Sequence, residues 1–129
     1  MNKPHIRIVT ARIEREGRYL ITQRNPHAVL PLLWEFPGGR VEDGESDEDA
    51  LRRELRDKIG IDANVGSLSL SVTHEYERYH LDMCVYHTTT ADTPQAVYVN
   101  DVQWVHPDAF GDYKFPGADQ QTVEALLGE

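Results

Sequence analysis

Several features of secreted and membrane proteins are missing from this chain of 129 residues. Cysteine occurs once, at Cys84, so no disulfide can form within the chain. No apolar run approaches the roughly 18 residues that suggest a membrane span, and the opening segment "MNKPHIRIVT" lacks the apolar stretch of a secretion signal. These absences predict a cytoplasmic, disulfide-free protein, in which Cys84 is a buried small hydrophobe rather than a nucleophile.

Basic residues are also scarce. Lysine and arginine number 13 against 22 aspartates and glutamates, which gives a formal net charge of −9. Such a chain repels polyphosphates and nucleic acids unless a local basic cluster or a bound divalent cation intervenes. We therefore expect neither a nucleic acid polymer nor a membrane as a partner, and an anionic ligand would call for a metal ion.

The length favours one domain, residues 1–129, with an ordinary apolar content of 40%. "HIRIVTARIEREGRYLITQR" predicts a hairpin that turns at Glu16-Gly17, and strands follow in "WEF", "NVGSLSLSVTHEY", "YHLDMCVYHTT" and "DVQWVH". A closing helix in "ADQQTVEALLGE" is predicted to turn Val123, Leu126 and Leu127 inward. Strands interrupted by one helix and closed by another predict an α/β protein, a mixed sheet flanked by helices.

A helix over residues 46–59 is the clearest local feature. Ser46 is a good N-cap, and Leu51, Leu55 and Ile59 repeat at intervals of four to form a core stripe. Gly60 supplies the stop.

The polar face of this helix carries the chemistry. Glu54, Asp57 and Lys58 are three and four residues apart, so they project to neighbouring points. The two carboxylates suit a hard divalent cation, while Gly38 and Gly39 allow the preceding loop to approach a ligand closely. The alternative is a solvated helix face with weak ion pairs, which helix spacing alone favours.

The loop and helix together resemble the signature of the Nudix family, in its MutT-like branch. That signature is Gly, five residues, Glu, seven residues, then Arg-Glu-hydrophobe-x-Glu-Glu-x-Gly-hydrophobe. This chain keeps every spacing over 23 residues, with Gly39, Glu45, Arg53, Glu54, Leu55, Asp57, Lys58, Gly60 and Ile61 at the fixed positions. The flanking "LWEFPGGRVEDGE" is similar to the MutT-like branch in particular.

The resemblance implies an α/β/α sandwich around a mixed sheet and a metal-dependent hydrolysis of a nucleoside diphosphate linked to a further group. Mg²⁺ or Mn²⁺ would neutralise the phosphates and lower the pKa of the attacking water. Carried over by position, the Gly39 carbonyl and the carboxylates of Glu54 and Asp57 would be metal ligands. One of the two carboxylates would be able to act as base. The catalytic set would be Glu54 with Arg53 and Glu45, which would brace the loop and helix.

Two positions depart from the family pattern. Lys58 stands where the family has a second consecutive glutamate, usually the principal metal ligand. Tyr98, six residues before Trp104, stands where MutT-like chains often carry another metal-binding or basic glutamate. Asp101 lies nearby and is an alternative ligand. Lys58 either contacts a substrate phosphate directly or pairs with Glu54 on the helix surface.

The resemblance also implies a substrate pocket. Asp119 matches the position that contributes to the nucleobase site in the MutT-like branch, where it would accept hydrogen bonds from an amino group of a base. As a plain sequence feature it is more typical of an N-cap of the closing helix. Arg24 is placed to meet phosphate, and Tyr76 and Arg78 are expected at the opening, with Tyr76 able to stack on a base.

These observations lead to one function and its alternatives. The sequence predicts a MutT-like pyrophosphohydrolase that converts a nucleoside triphosphate, of the cytidine or purine type and ordinary or modified, to monophosphate and pyrophosphate. The alternatives are a nucleotide-binding or regulatory module without turnover, and a hydrolase of another nucleoside diphosphate derivative. A homodimer is left open.

Overall fold

The computed structural model describes residues 3–128. Its elements run in the order β1 His5–Arg12, β2 Glu14–Arg15, β3 Arg18–Gln23, β4 Trp34–Glu35, β5 Gly38–Arg40, α1 Asp47–Ile59, β6 Asn64–Glu75, β7 His80–Thr89, β8 Asp101–Val105, a 3₁₀ helix Pro107–Asp112, and α2 Gly117–Leu127. None of the helices in this part of the chain is long and apolar enough to cross a bilayer.

The strands form two sheets. In the first the order is β5-β1-β7-β6, with β1 and β7 parallel and the other pairs antiparallel. In the second, β3 lies between β4 and β8 and also pairs with β2. The prediction of a mixed sheet flanked by helices is confirmed.

The predicted first hairpin is only partly right. Glu16 and Gly17 both have positive φ, at 51° and 78°, as a tight two-residue hairpin turn requires. The strand before the turn, however, is divided. Its first part, β1, belongs to the first sheet, whereas β2 pairs with β3 in the second.

Helix α1 begins and ends where its local signals predict. The Ser46 hydroxyl accepts a hydrogen bond from the Asp49 amide at 3.1 Å, and Gly60 adopts the left-handed conformation at φ 68°. Leu51, Leu55 and Ile59 are fully buried. They pack in one core cluster with Cys84, which is buried as predicted.

Helix α2 differs from its prediction in two ways. Val123 and Leu126 are buried, but Leu127 is 54% exposed, so the inward assignment of Leu127 is wrong. The N-cap is Pro116, without a side-chain cap hydrogen bond, and Asp119 lies in the first turn. The N-cap role of Asp119 is therefore also wrong.

The first sheet has a different partner on each face. On one face, β1 and β7 contribute Val9, Ala11, Cys84 and Tyr86 to the cluster that holds α1. On the other, Leu81, Met83 and Val85 of β7 pack with Val72 of β6 and with Ala118 at the start of α2. This second face is the floor of the cleft described below.

Candidate active site

Two adjacent glycines bring strand β5 against both β1 and α1. Gly38 lies opposite Thr10 in the sheet, where a β-carbon would collide with the Val9 carbonyl. A β-carbon on Gly39 would collide with the carboxylate of Glu54. The absence of both side chains lets the backbone approach the helix closely.

Arg53 connects the segment between β5 and α1 to the helix by hydrogen bonds. Its Nε and Nη2 donate to the two oxygens of Glu45, each at 2.8 Å, and Nη2 also donates to the Arg40 carbonyl at 3.0 Å. This pair, helped by the Glu42 amide, lowers the pKa of Glu45 to about 2. Glu45 is therefore a carboxylate at neutral pH, as a brace for Arg53 must be.

Glu54 lies between two cations. One carboxylate oxygen accepts from Arg53 Nη1 at 2.8 Å, and the other is 3.1 Å from Lys58 Nζ. Its side chain is only 12% exposed. The Lys58 ammonium also donates to the Gly38 carbonyl at 2.9 Å. The structure thus brings the helix carboxylate, the lysine and the loop carbonyl to one point.

The remaining predicted metal positions are more open. Asp57 is exposed. Tyr98 is 73% exposed, and its amide donates to the Lys58 carbonyl at 2.9 Å. Asp101, the alternative ligand, instead accepts from the Val102 amide at 2.8 Å and from Gln103 Nε2 at 3.1 Å.

The donor chemistry at Glu54 fits a hard divalent cation. The Glu54 carboxylate and the Gly38 carbonyl are oxygen donors of the kind that Mg²⁺ prefers. The carbonyl that faces Glu54 and Lys58 is that of Gly38, whereas Gly39 contributes the space for the Glu54 carboxylate. The position between Gly38 and Glu54 is held by the lysine ammonium.

A second group of metal-type donors lies outside this site. Ligand atoms of His5, His80 and Asp82 lie within 4.8 Å of one another. His80 is paired with the Glu75 carboxylate, which raises the pKa of His80.

A cleft of about 460 Å³ runs from the glycine pair towards the start of α2. That volume is in the range typical of small-molecule sites. Its walls combine an apolar sheet face with aromatic and polar side chains, among them Ile8, Met83, Tyr76, Tyr79, Arg24 and Asp119. Gly38, Gly39 and Lys58 border the same space, so one cleft connects the Asp119 region to the Glu54 site.

The aromatic wall is fixed in place. Tyr76 and Tyr79 are stacked with ring centroids 4.8 Å apart, and His74 packs against Tyr76 at 4.5 Å. The Tyr76 hydroxyl accepts a hydrogen bond from the Ala118 amide at 3.3 Å. Burial raises the pKa of Tyr76.

Asp119 is buried at the other end of the cleft. Its Oδ1 accepts a hydrogen bond from the Phe36 amide at 3.2 Å, which ties α2 to the segment after β4. Burial, reinforced by the nearby negative charge of Glu35, raises the pKa of Asp119 well above its usual range. Arg24 binds Glu35 at 2.7 Å and partly offsets that effect.

Thr10 is a further polar group facing the cleft. It is 4% exposed, and its hydroxyl has no hydrogen-bond partner within residues 3–128. A buried polar group without a partner carries an energetic cost.

Most of the predicted substrate-binding residues lie together. Arg24, Lys58, Tyr76 and Asp119 all line the cleft, whereas Arg78 is exposed and does not line it. Arg24 pairs with Glu35 and lies near Asp119.

The cleft residues that sequence reasoning missed include Thr10, Glu35 and Tyr79. The alternation of Ile6, Ile8 and Thr10 along β1 places Thr10 on the same face and was the available signal. No comparable sequence signal identifies Glu35 or Tyr79.

The sequence-family model of the NUDIX domain matches residues 8–125, so this chain belongs to the NUDIX family. It is 36% identical over 123 residues to the CTP pyrophosphohydrolase of Escherichia coli (strain K12), covering 95% of this chain and 91% of that one. It is also 34% identical over 90 residues to the 8-oxo-dGTP diphosphatase of Proteus vulgaris, covering 69% and 80% of the two chains. The solution structure of the E. coli ORF135 protein is similar in fold, with a TM-score of 0.82 at 34% identity over 98% of this chain and 91% of that chain.

Proposed function

We propose that this protein hydrolyses a nucleoside triphosphate to the monophosphate and pyrophosphate. The observation that carries the proposal is the continuity of the cleft, which joins the buried Asp119 and the tyrosine pair to Gly38 and Lys58. A nucleotide has the matching two-part chemistry, an aromatic base at one end and a polyanion at the other. The relatives named as a CTP pyrophosphohydrolase and an 8-oxo-dGTP diphosphatase support the same substrate class.

The base would occupy the Asp119 end. Asp119 offers an oxygen atom to an exocyclic amino group, as found on cytosine, adenine and guanine. Tyr76, immobilised by Tyr79 and by the Ala118 amide, provides a surface for stacking. Arg24, held by Glu35, is assigned to this end as well.

The triphosphate would lie towards the glycine pair. Gly38 and Gly39 leave room for its oxygens, and the Lys58 ammonium supplies a positive charge beside them. Arg53 keeps Glu54 and the loop in register through its bonds to Glu45 and the Arg40 carbonyl.

Glu54 is the residue we assign to proton transfer. Its carboxylate would accept a proton from the attacking water as the water oxygen bonds to a phosphorus of the α–β bridge. The bond from that phosphorus to the bridging oxygen breaks, and the products are the monophosphate and pyrophosphate. Mg²⁺ or Mn²⁺, held by Glu54, Asp57 and the Gly38 carbonyl, would supply charge neutralisation and water activation when bound. Arg53 and Glu45 position Glu54 without touching the reacting atoms.

The test is a panel of nucleoside triphosphates assayed with Mg²⁺ and then Mn²⁺, with pyrophosphate as the measured product. CTP, ATP, GTP and 8-oxo-dGTP carry an amino group, whereas UTP and dTTP do not. We expect one of the first group to be hydrolysed well above UTP and dTTP, and the Glu54→Gln variant to be at least about 100-fold slower. Absence of pyrophosphate release from every member with either metal contradicts the proposal.

A second candidate function is favoured by Lys58, because its ammonium lies 3.1 Å from the Glu54 carboxylate. It is a module that holds a nucleotide without cutting it. Calorimetry with the same panel separates the two, because binding without pyrophosphate release supports the module. Turnover of a nucleotide sugar or dinucleotide alone would instead support hydrolysis of another nucleoside diphosphate derivative.

A further inference from the structure

The charges on Glu54 are already satisfied within the protein. Each carboxylate oxygen has its own cationic neighbour, Arg53 on one side and Lys58 on the other. The Lys58 ammonium lies 3.1 Å from that carboxylate and 2.9 Å from the Gly38 carbonyl. These two oxygens are of the kind that a divalent cation would take as ligands.

The backbone of Lys58 is anchored at the end of α1. Its carbonyl accepts hydrogen bonds from the amides of Val97 and Tyr98, at 3.1 and 2.9 Å. From that fixed point the flexible four-carbon side chain reaches the Gly38 carbonyl. The side chain retains 32% exposure and borders the cleft, so the ammonium is within reach of a ligand.

The formal charge of the site also weakens its attraction for a divalent cation. The carboxylates of Glu42, Glu45 and Glu54 are paired with the cations Arg53 and Lys58, which leaves a single net negative charge. A glutamate in place of Lys58 would make the net charge −3, and a neutral residue would make it −2. A dication is attracted less strongly as that negative charge falls.

We propose that Lys58 is the resident cation of this site and competes directly with divalent metal for Glu54. In the nucleotide-free protein its ammonium holds the Gly38 carbonyl and the Glu54 carboxylate together, so the free protein binds metal weakly. The inference rests on the proposed function in taking the Glu54 site as the metal position, and it deepens that proposal. The phosphates of the nucleotide then provide the ligands that the free protein lacks.

The test is a titration of the nucleotide-free protein with Mn²⁺, in which free Mn²⁺ is measured by electron paramagnetic resonance. Lys58→Met removes the charge and keeps most of the stem, Lys58→Gln is a second neutral variant, and Lys58→Glu supplies a carboxylate. The control is Arg56→Met, which removes the same charge from an exposed position on the same helix. Thermal melting verifies that each variant is folded.

We expect Lys58→Met and Lys58→Gln to bind Mn²⁺ about tenfold more tightly than the wild type, and Lys58→Glu to bind more tightly still. Arg56→Met should stay within about twofold of the wild type, because exposed charges further away are screened. Equal Mn²⁺ affinity in the wild type and both neutral variants overturns the inference. Equal tightening by Arg56→Met overturns it as well, since net charge alone would then explain the effect.

This readout is independent of turnover. If hydrolysis is absent but the expected order of Mn²⁺ affinities is observed, the proposed function fails and the role of Lys58 stands. If hydrolysis is present and the affinities are equal, the role of Lys58 fails and the proposed function stands.

Discussion

Arg53 binds Glu45 through two parallel hydrogen bonds, from Nε and Nη2 to the two carboxylate oxygens, each at 2.8 Å. The planar guanidinium matches the carboxylate geometry, which a lysine at the same place would not do. Glu45 lies at the end of the loop between β5 and α1, and Arg53 lies on α1. This pair therefore fixes the distance between Gly38-Gly39 and the helix.

The Arg53–Glu45 pair predicts a pH dependence of stability. Arg53 lowers the pKa of Glu45 to about 2, compared with about 4.3 in an unfolded chain. A lowered folded-state pKa contributes stability that is fully present above the unfolded pKa and is lost as the pH falls towards the folded value. We expect the wild type to be more stable than Glu45→Gln at pH 7, with the gap narrowing below about pH 4. Urea unfolding of both proteins from pH 7 to pH 3 measures this gap, and a gap independent of pH would contradict the assignment.

Gly39→Ala is expected to impair activity more than stability. The added β-carbon collides with the Glu54 carboxylate and must displace it, and a misplacement of about 1 Å can cost about 100-fold in rate. Stability should also fall, by a smaller amount of about 1 to 2 kcal/mol, because the displaced carboxylate leaves Arg53 and Lys58. Gly111→Ala is the matched control, since a β-carbon there meets nothing within 4 Å. Equal turnover in the two variants would show that the position of Glu54 is unimportant.

Asp119→Asn is expected to stabilise the protein at neutral pH. Burial and Glu35 raise the pKa of Asp119, so the unfolded state releases its proton at a lower pH than the folded state. The wild type therefore loses stability as the pH rises above about 4, whereas the amide cannot ionise and can still accept from the Phe36 amide. Thermal melting of both proteins should give midpoints that converge at low pH and separate towards pH 7. A difference that is the same at every pH would contradict the raised pKa.

Lys58→Glu is predicted to raise magnesium-dependent turnover. The substitution restores the carboxylate that the family has at this position and removes the ammonium from Glu54. Two glutamates at this spacing cost a few tenths of a kcal/mol of helix stability, which a folded domain can tolerate. Steady-state rates across a range of Mg²⁺ concentrations measure the effect, with Arg56→Glu as a control for added negative charge. Unchanged or lower turnover would contradict this view of the site.

Features encoded by neighbouring residues were predictable from sequence. Ser46 and Gly60 bound α1 because capping and left-handed termination depend on local backbone geometry. The spacing from Gly39 to Ile61 identified the family, which the NUDIX match confirms.

Features that depend on contacts between residues far apart in the sequence were not predictable. The Lys58–Gly38 contact joins residues 20 apart, and the Asp119–Phe36 contact joins residues 83 apart. An aspartate near a helix start suggests a cap by its local preference, but at Asp119 the tertiary partner overrides that preference. Leu127 continues an apolar pattern past the point where α2 still faces the core.

The most direct test is a ³¹P NMR time course on separate samples of CTP, ATP, GTP, UTP and 8-oxo-dGTP with Mg²⁺, and with Mn²⁺ in aliquots freed of that metal before each spectrum. Because it resolves mono-, di- and triphosphates together with pyrophosphate, the spectrum identifies the bond that is broken. We predict that monophosphate and pyrophosphate signals grow together in a sample whose nucleotide base carries an amino group, and that Glu54→Gln abolishes this growth. Unchanged triphosphate signals, or the appearance of nucleoside diphosphate with orthophosphate, would contradict it.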